Sequence, residues 1–292
     1  MNKQKHVPVL AQEVLYYLNP KPGDQYLDLT AGYGGHASLV LDRLGDNGSM
    51  TLVDRDEEAI KHLQEVFAKE SRVEILRKDF LSASTDLLAS GRKYDMVFAD
   101  IGVSSPHLDN ASRGFSFAKE GPLDMRMDRS QKLTAEKIIN TYDLDELAKI
   151  LRDYGEVKNA HKVASRLIEH RPYKTTVELA KRIAQITRRK KRLHPATEVF
   201  QALRIAVNGE LEMLKKSLGI WVELLKPKGR VGVISFHSLE DRLVKQAFKD
   251  YGGNRYDAKL QIVTKQVVTG SDSEIVFNPR SRSAKLRVAQ RK

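Results

Sequence analysis

Residues 25–36, Gln-Tyr-Leu-Asp-Leu-Thr-Ala-Gly-Tyr-Gly-Gly-His (QYLDLTAGYGGH), decide how the chain is read. Gln25–Thr30 is a short strand-forming run, Gly32, Gly34 and Gly35 follow at once, and His36–Leu44 carries a helical pattern. Glycines between a strand and a helix let the backbone turn sharply and leave it bare for a ligand. In open parallel sheets, ligands bind beyond the carboxyl ends of the strands, where the winding reverses. A bare Gly-x-Gly is also a common tight turn, so the loop takes its meaning from its surroundings.

Working outward, Ser49–Asp54 (SMTLVD), Arg72–Arg77 (RVEILR) and Tyr94–Asp100 (YDMVFAD) read as strands, with helical patterns over Asp56–Lys69 and Phe80–Ser90. Strands alternating with helices imply right-handed crossovers and a parallel sheet. From Gly102 to about Lys132 no period is sustained, and Thr134–Arg192 then reads as helices over 135–140, 144–154, 158–170 and 177–192. Ala196–Leu225 reads as helix with a break near Gly219, Gly229–Ser235 as a buried strand, Leu239–Tyr251 as a helix, and Lys259–Thr269 and Lys285–Ala289 as late strands. The expected fold is α/β, a mostly parallel twisted sheet built from residues 1–104 and 196–292, with a mainly helical insertion over 105–195.

Composition narrows the chemistry. The 292 residues contain no cysteine, so disulfides and thiolate metal sites are excluded. No apolar run approaches the roughly 20 residues that span a bilayer, and Met1–Leu10 has no apolar signal-peptide core, which together imply no membrane and a cytoplasmic site of action. The eight histidines form no ligand-spaced cluster, so no metal is expected. Fifty Lys and Arg against 38 Asp and Glu leave a net charge of +12. That excess suits a polyanionic partner, or simply a basic soluble protein.

Asp54 ends the second strand 20 residues after Gly34, where a carboxylate can accept both ribose hydroxyls of a nucleoside cofactor. Nicotinamide dinucleotides and S-adenosylmethionine share that arrangement. The dinucleotide fingerprint would place its third glycine at position 37, where this chain has Ala37; the fingerprint allows alanine there, so this speaks only mildly against a dinucleotide. The pair Asp79-Phe80 closes the third strand region. It can hold an adenine, acid on the exocyclic amine and ring against the base, or Asp79 can cap the helix that follows.

The fourth strand closes with Asp100-Ile-Gly-Val-Ser-Ser-Pro-His107. Together with His6–Leu10, Gly32–His36, Val53–Asp56, Arg113–Asp128 (RGFSFAKEGPLDMRMD), His194–Thr197, Phe200–Asn208, Ile234–Arg242 (ISFHSLEDR) and Asn278–Ser283, this segment resembles the RsmH (MraW) family, the 16S ribosomal RNA cytosine-N4 methyltransferases. The matching segments span nearly the whole chain. The resemblance implies a class I (Rossmann-like) methyltransferase fold with a helical insertion for substrate recognition. It further implies S-adenosylmethionine as cofactor and a cytidine in the decoding centre of 16S rRNA, within the small ribosomal subunit, as substrate. It carries cofactor contacts onto Gly34, Gly35, His36, Asp54, Phe80, Asp100 and His107, beside Gly32 and Asp79 from the residue reading. The family position of His107 is often glutamine.

A cytosine N4 amine is a weak nucleophile because its lone pair is delocalised, and an acceptor that draws out one N–H localises it. Asp100 is the candidate, although no Pro-Pro-aromatic follows it as in many amino-methyltransferases, so it either orients the amine or contacts the cofactor. His237, in Ser235-Phe-His-Ser238, either meets the base or a phosphate or is packed at a strand end. Phe115, Phe117 and Phe236 can stack a flipped base or fill a core. Arg188, Arg189, Lys190, Lys191 and Arg192 form a basic run suited to RNA phosphates, or to a solvated helix end. A nicotinamide oxidoreductase and a non-catalytic RNA-binding factor are the competing readings. Oligomeric state is open, with a homodimer as one option.

Overall fold

A computed structural model of the chain describes residues 8–187, 194–253 and 256–292. By the contacts within the chain it divides into two compact units, Met1–Gly102 with Leu211–Lys292, and Val103–Glu210. In chain order the elements are α1 (Ala11–Leu18), β1 (Gln25–Asp28), α2 (Gly35–Leu44), β2 (Ser49–Asp54), α3 (Glu57–Val66), β3 (Val73–Arg77), α4 (Phe80–Ala89), β4 (Tyr94–Asp100), α5 (Ser105–Asp109), α6 (Ala135–Thr141), α7 (Leu144–Gly155), α8 (Ala160–Ile168), α9 (Thr176–Ile186), α10 (Ala196–Asn208), α11 (Glu210–Leu224), β5 (Leu225–Ser235), α12 (Ser238–Tyr251), β6 (Leu260–Ile262), α13 (Asp272–Phe277) and β7 (Lys285–Arg291).

The first unit is a seven-stranded sheet of order β3-β2-β1-β4-β5-β7-β6. The first five strands pair in parallel, and β7 pairs antiparallel with both β5 and β6. The period of two along each strand sends alternate residues to opposite layers. Tyr26, Met96 and Phe98 face a core shared with α1, α2 and α3. Leu27, Val97 and Ala99 face one shared with α4, α11 and α12. Burial on both faces explains why these strands are almost continuously apolar. This is the doubly wound α/β sheet that the sequence led us to expect. The winding reverses between β1 and β4, so their carboxyl ends open the crevice where such sheets bind ligands.

The second unit packs α6–α10 around Ile138, Leu147, Leu151, Leu167, Leu179, Ile183 and Leu203. Helix α10, expected with the sheet, packs by its Val199 and Leu203 face into this helical core, so the division falls after Glu210 rather than at 196. The break expected near Gly219 lies at Gly209, which adopts φ 62° and ends α10. Gly219 lies within α11, where a β-carbon would approach the Tyr251 hydroxyl within 2.5 Å, so it is a packing glycine. The strand expected over 259–269 shrinks to β6, leaving Val268 as a single bridge to Leu286. The helix expected over 177–192 is seen as α9, and Arg188–Arg192 lie outside the described residues. Among the described residues no helix is long and apolar enough to cross a membrane.

Candidate active site

The glycine loop leaves β1 under tight backbone control. Leu29 N–H donates to Phe98 O and Ala31 N–H to Val53 O, both at 2.9 Å, so the loop is stitched to β4 and β2 at once. Gly32 has φ 52° and Gly34 φ 80°, a left-handed conformation that favours glycine. A β-carbon on Gly34 would also come within 3.0 Å of Phe67 and 3.1 Å of Leu63. At the end of β2, Asp54 Oδ2 accepts from Gly32 N–H and Oδ1 from Asp56 N–H, both at 2.8 Å. The acid thus anchors the loop at the carboxyl end of β2, and a carboxylate oxygen can accept from more than one donor.

Asp100 ends β4, held by its N–H donating to Thr30 Oγ1 at 2.6 Å. Its side chain is 26% exposed, yet Oδ1 is buried with no hydrogen-bond partner among the described residues. Oδ2 lies 3.8 Å from His36 Nε2, and the His36 ring packs 4.8 Å from Phe98. Burial pushes the Asp100 carboxyl up to about 8, and the charges of Asp28 and Glu240 act in the same direction. Asp28, at the end of β1, is likewise raised by burial, to about 7, against hydrogen bonds from Thr30 N–H and the Tyr26 hydroxyl. Loss of hydration disfavours the charged form of each acid. An orphaned carboxylate oxygen among further acids suits a cation.

His237 is a capping residue. Its Nδ1 accepts from Glu240 N–H at 3.4 Å, and its Nε2 lies 2.9 Å from Glu240 Oε1. Glu240 returns a bond by accepting from His237 N–H at 3.3 Å, and its Oε2 also accepts from Phe236 N–H at 2.8 Å. This is a capping box at the start of α12, so His237 has a structural role at the strand end. Asp79 is also a cap. Its Oδ1 accepts from Leu81 N–H and Ser82 N–H, and its Oδ2 from the Ser82 hydroxyl, which accounts for the acid without an adenine. Phe80, half-buried, meets Trp221 edge-on at 5.7 Å.

The sheet unit therefore brings together Gly32, Gly34, Gly35, His36, Asp54 and Asp100, with His237 capping the neighbouring helix. His107 belongs to the helical unit, where its Nδ1 lies 3.0 Å from Ser104 Oγ in a cap of α5 and its ring stacks on Phe115 at 4.9 Å. Phe117 packs against His194 and Phe200 in the same unit. Of the three phenylalanines, Phe236 belongs to the sheet unit, its ring 3.4 Å from where a β-carbon on Gly102, two residues after Asp100, would stand. The PLDMRMD stretch, residues 122–128, holds an ion pair, with Arg126 donating through Nε and Nη2 to both Asp124 oxygens. Sequence reading missed Thr30, Asp28 and Glu240. Asp28 closes β1 as Asp100 closes the adjacent β4, and Glu240 stands at the capping-box spacing after His237, so both carried a signal.

The sequence profile of the MraW methylase family matches residues 3–292. The chain belongs to that family. It is a methylase, and its cofactor is S-adenosylmethionine. Curated relatives agree over the full length. The methylase is 44% identical to a protein of Cyanothece sp. over 98% of its own chain and 94% of the relative, and 46% identical to one of Crocosphaera subtropica over 98% and 89%. A relative from Halothermothrix orenii is 42% identical over 98% of both chains. All three are called ribosomal RNA small subunit methyltransferase H.

The residues of this methylase fit the cofactor on structural grounds. Side-chain-free turns at Gly32 and Gly34 allow close backbone approach, Asp54 stands at the strand end bonded to that loop, and the unpartnered Asp100 oxygen complements a ligand with an ammonium and a sulfonium.

Proposed function

We propose that this methylase transfers a methyl group to the N4 amine of a cytidine in the decoding centre of 16S ribosomal RNA, in the cytoplasm, with the small ribosomal subunit as its partner. The observation that carries the mechanism is Asp100: a raised, orphaned carboxylate at the carboxyl end of β4, beside the glycine loop. The RNA substrate rests on the relatives' shared name at 42–46% identity over nearly the whole chain, and the +12 charge supports it.

When bound, S-adenosylmethionine supplies an electrophilic methyl group on a positively charged sulfur. Gly32, Gly34 and Gly35 would cradle it by their backbone, Asp54 would accept from its ribose, and Phe80 would lie against its adenine. The partly exposed Asp100 carboxylate accepts one N–H of the cytosine amine, drawing the lone pair out of conjugation, and takes up the proton that leaves the nitrogen. A bound cation would hold Asp100 in its ionised form, ready to accept, and its burial gives that carboxylate a higher proton affinity than an exposed one, as general-base work requires. His36 and Thr30 position Asp100, and the half-buried Phe236 ring offers a stacking face for the base.

The test is tritium transfer from methyl-labelled cofactor to small subunits lacking the modification, followed by nucleoside analysis of the RNA. Label in a single N4-methylcytidine supports the reading. Label in another nucleoside, or only in protein, overturns it.

A further inference from the structure

A second charged feature lies wholly within the helical unit, outside the residues considered so far. Helices α8, α9 and the start of α10 border an open cavity of about 650 Å³. Its walls carry Lys158, Lys162, Arg166, His170 and Arg182, against the single acid Glu198. Arg166 is paired with Glu169 at 3.1 Å. Among the described residues, no carboxylate stands in ion-pairing range of Lys158, Lys162 or Arg182. Five basic side chains against one acid leave the concavity with a positive potential, which favours an anionic occupant.

We propose that this cavity is a second RNA contact, which grips the phosphate backbone of the substrate strand away from the methylated base. The inference rests on the RNA reading above and extends it to these residues. Its size admits a nucleotide unit, since ligand cavities run from roughly 300 to 1,000 Å³. The cations come from separate elements, Lys158 and Lys162 about the start of α8 and Arg182 from α9, and can therefore meet successive phosphates. In sequence, the basic run Arg188–Arg192 follows directly on Thr187, which lines the cavity. Contacts of this kind fix register and carry no sequence information.

The experiment compares wild type with two variants, Lys158→Gln/Lys162→Gln/Arg182→Gln and Lys158→Glu/Lys162→Glu. The second changes only exposed side chains, so it keeps the test valid should loss of the half-buried Arg182 disturb α9. Binding to unmodified small subunits is measured across 50–300 mM salt, alongside calorimetric binding of S-adenosylhomocysteine. We expect the triple variant to bind subunits at least about tenfold more weakly at low salt, with the log–log salt slope reduced by about 2, and cofactor binding unchanged. The charge-reversal variant should show at least as large a loss. Subunit affinity and salt slope within twofold of wild type in both variants would overturn the inference. So would loss of inorganic phosphate or mononucleotide binding in the variants with subunit affinity intact, which would mark a small-anion site. Failure of the wild type itself to bind subunits would instead remove the RNA reading, and this inference with it.

Discussion

Asp100 carries the chemistry through its environment. With its carboxyl near 8, the ligand-free protein holds it mostly protonated at neutral pH, and a cationic ligand favours the ionised form. Cofactor binding should therefore expel a proton below about pH 8 and cease to do so well above it. Calorimetry in buffers of different ionisation enthalpy should show release at pH 6.5 that fades by pH 9.5, and Asp100→Asn should lose that component. Replacing Asp100 by Ala should lower methyl transfer at least about 100-fold while subunit binding persists. Asp28 offers a stability counterpart. Its folded value of about 7 lies above the ordinary 3.8, so its stabilising effect is complete below about pH 4 and is lost as pH rises through 7. Asp28→Asn, which cannot ionise, should melt about 5 °C above wild type at pH 9 and match it at pH 4, as followed by circular dichroism.

At the scale of elements, two junctions hold functional segments in place. Gly34 joins the loop to α2 with φ 80° and two side chains close by, so Gly34→Ala combines backbone strain with overlap. It should cost about 2 kcal/mol in urea denaturation and weaken cofactor binding at least about tenfold. Asn208, at the end of α10, accepts from Met127 N–H at 2.9 Å and donates to Met125 O at 2.8 Å, pinning a buried stretch in which Met125 has φ 58°. Asn208→Ala leaves both backbone groups without their partner and should cost about 3 kcal/mol by the same measurement. Conservative loss, below about 1 kcal/mol, would show that water replaces the amide.

Across the whole molecule, the sheet was legible because buried parallel strands are apolar, short and bounded by turn residues. Strands β1 to β4 lie where the residue pattern places them. The errors share a cause, which is tertiary packing that no local pattern encodes. Gly219 looks like a break but is a contact point for Tyr251, while Gly209, the real break, differs only in its backbone angle. Helix α10 reads as the sheet domain's next crossover, yet its apolar face belongs to the helical core. At the site, Gly32, Gly34, Asp54 and Asp100 were legible from spacing along strand ends. The capping roles of Asp79 and His237 required the geometry, because a cap and a catalytic group draw on the same residue types. The clustering of Asp28, Asp100 and Glu240 required the strand order, which brings distant acids to one edge.

The central claim is that the carboxyl ends of β1, β2 and β4 form one cofactor pocket. Titration of thoroughly stripped protein with S-adenosylhomocysteine in a calorimeter tests it most directly. Wild type should bind one equivalent per chain with saturable heat, and Asp54→Ala should weaken that binding at least about tenfold. No saturable uptake by folded wild type, or undiminished binding by the variant, would contradict the pocket described here.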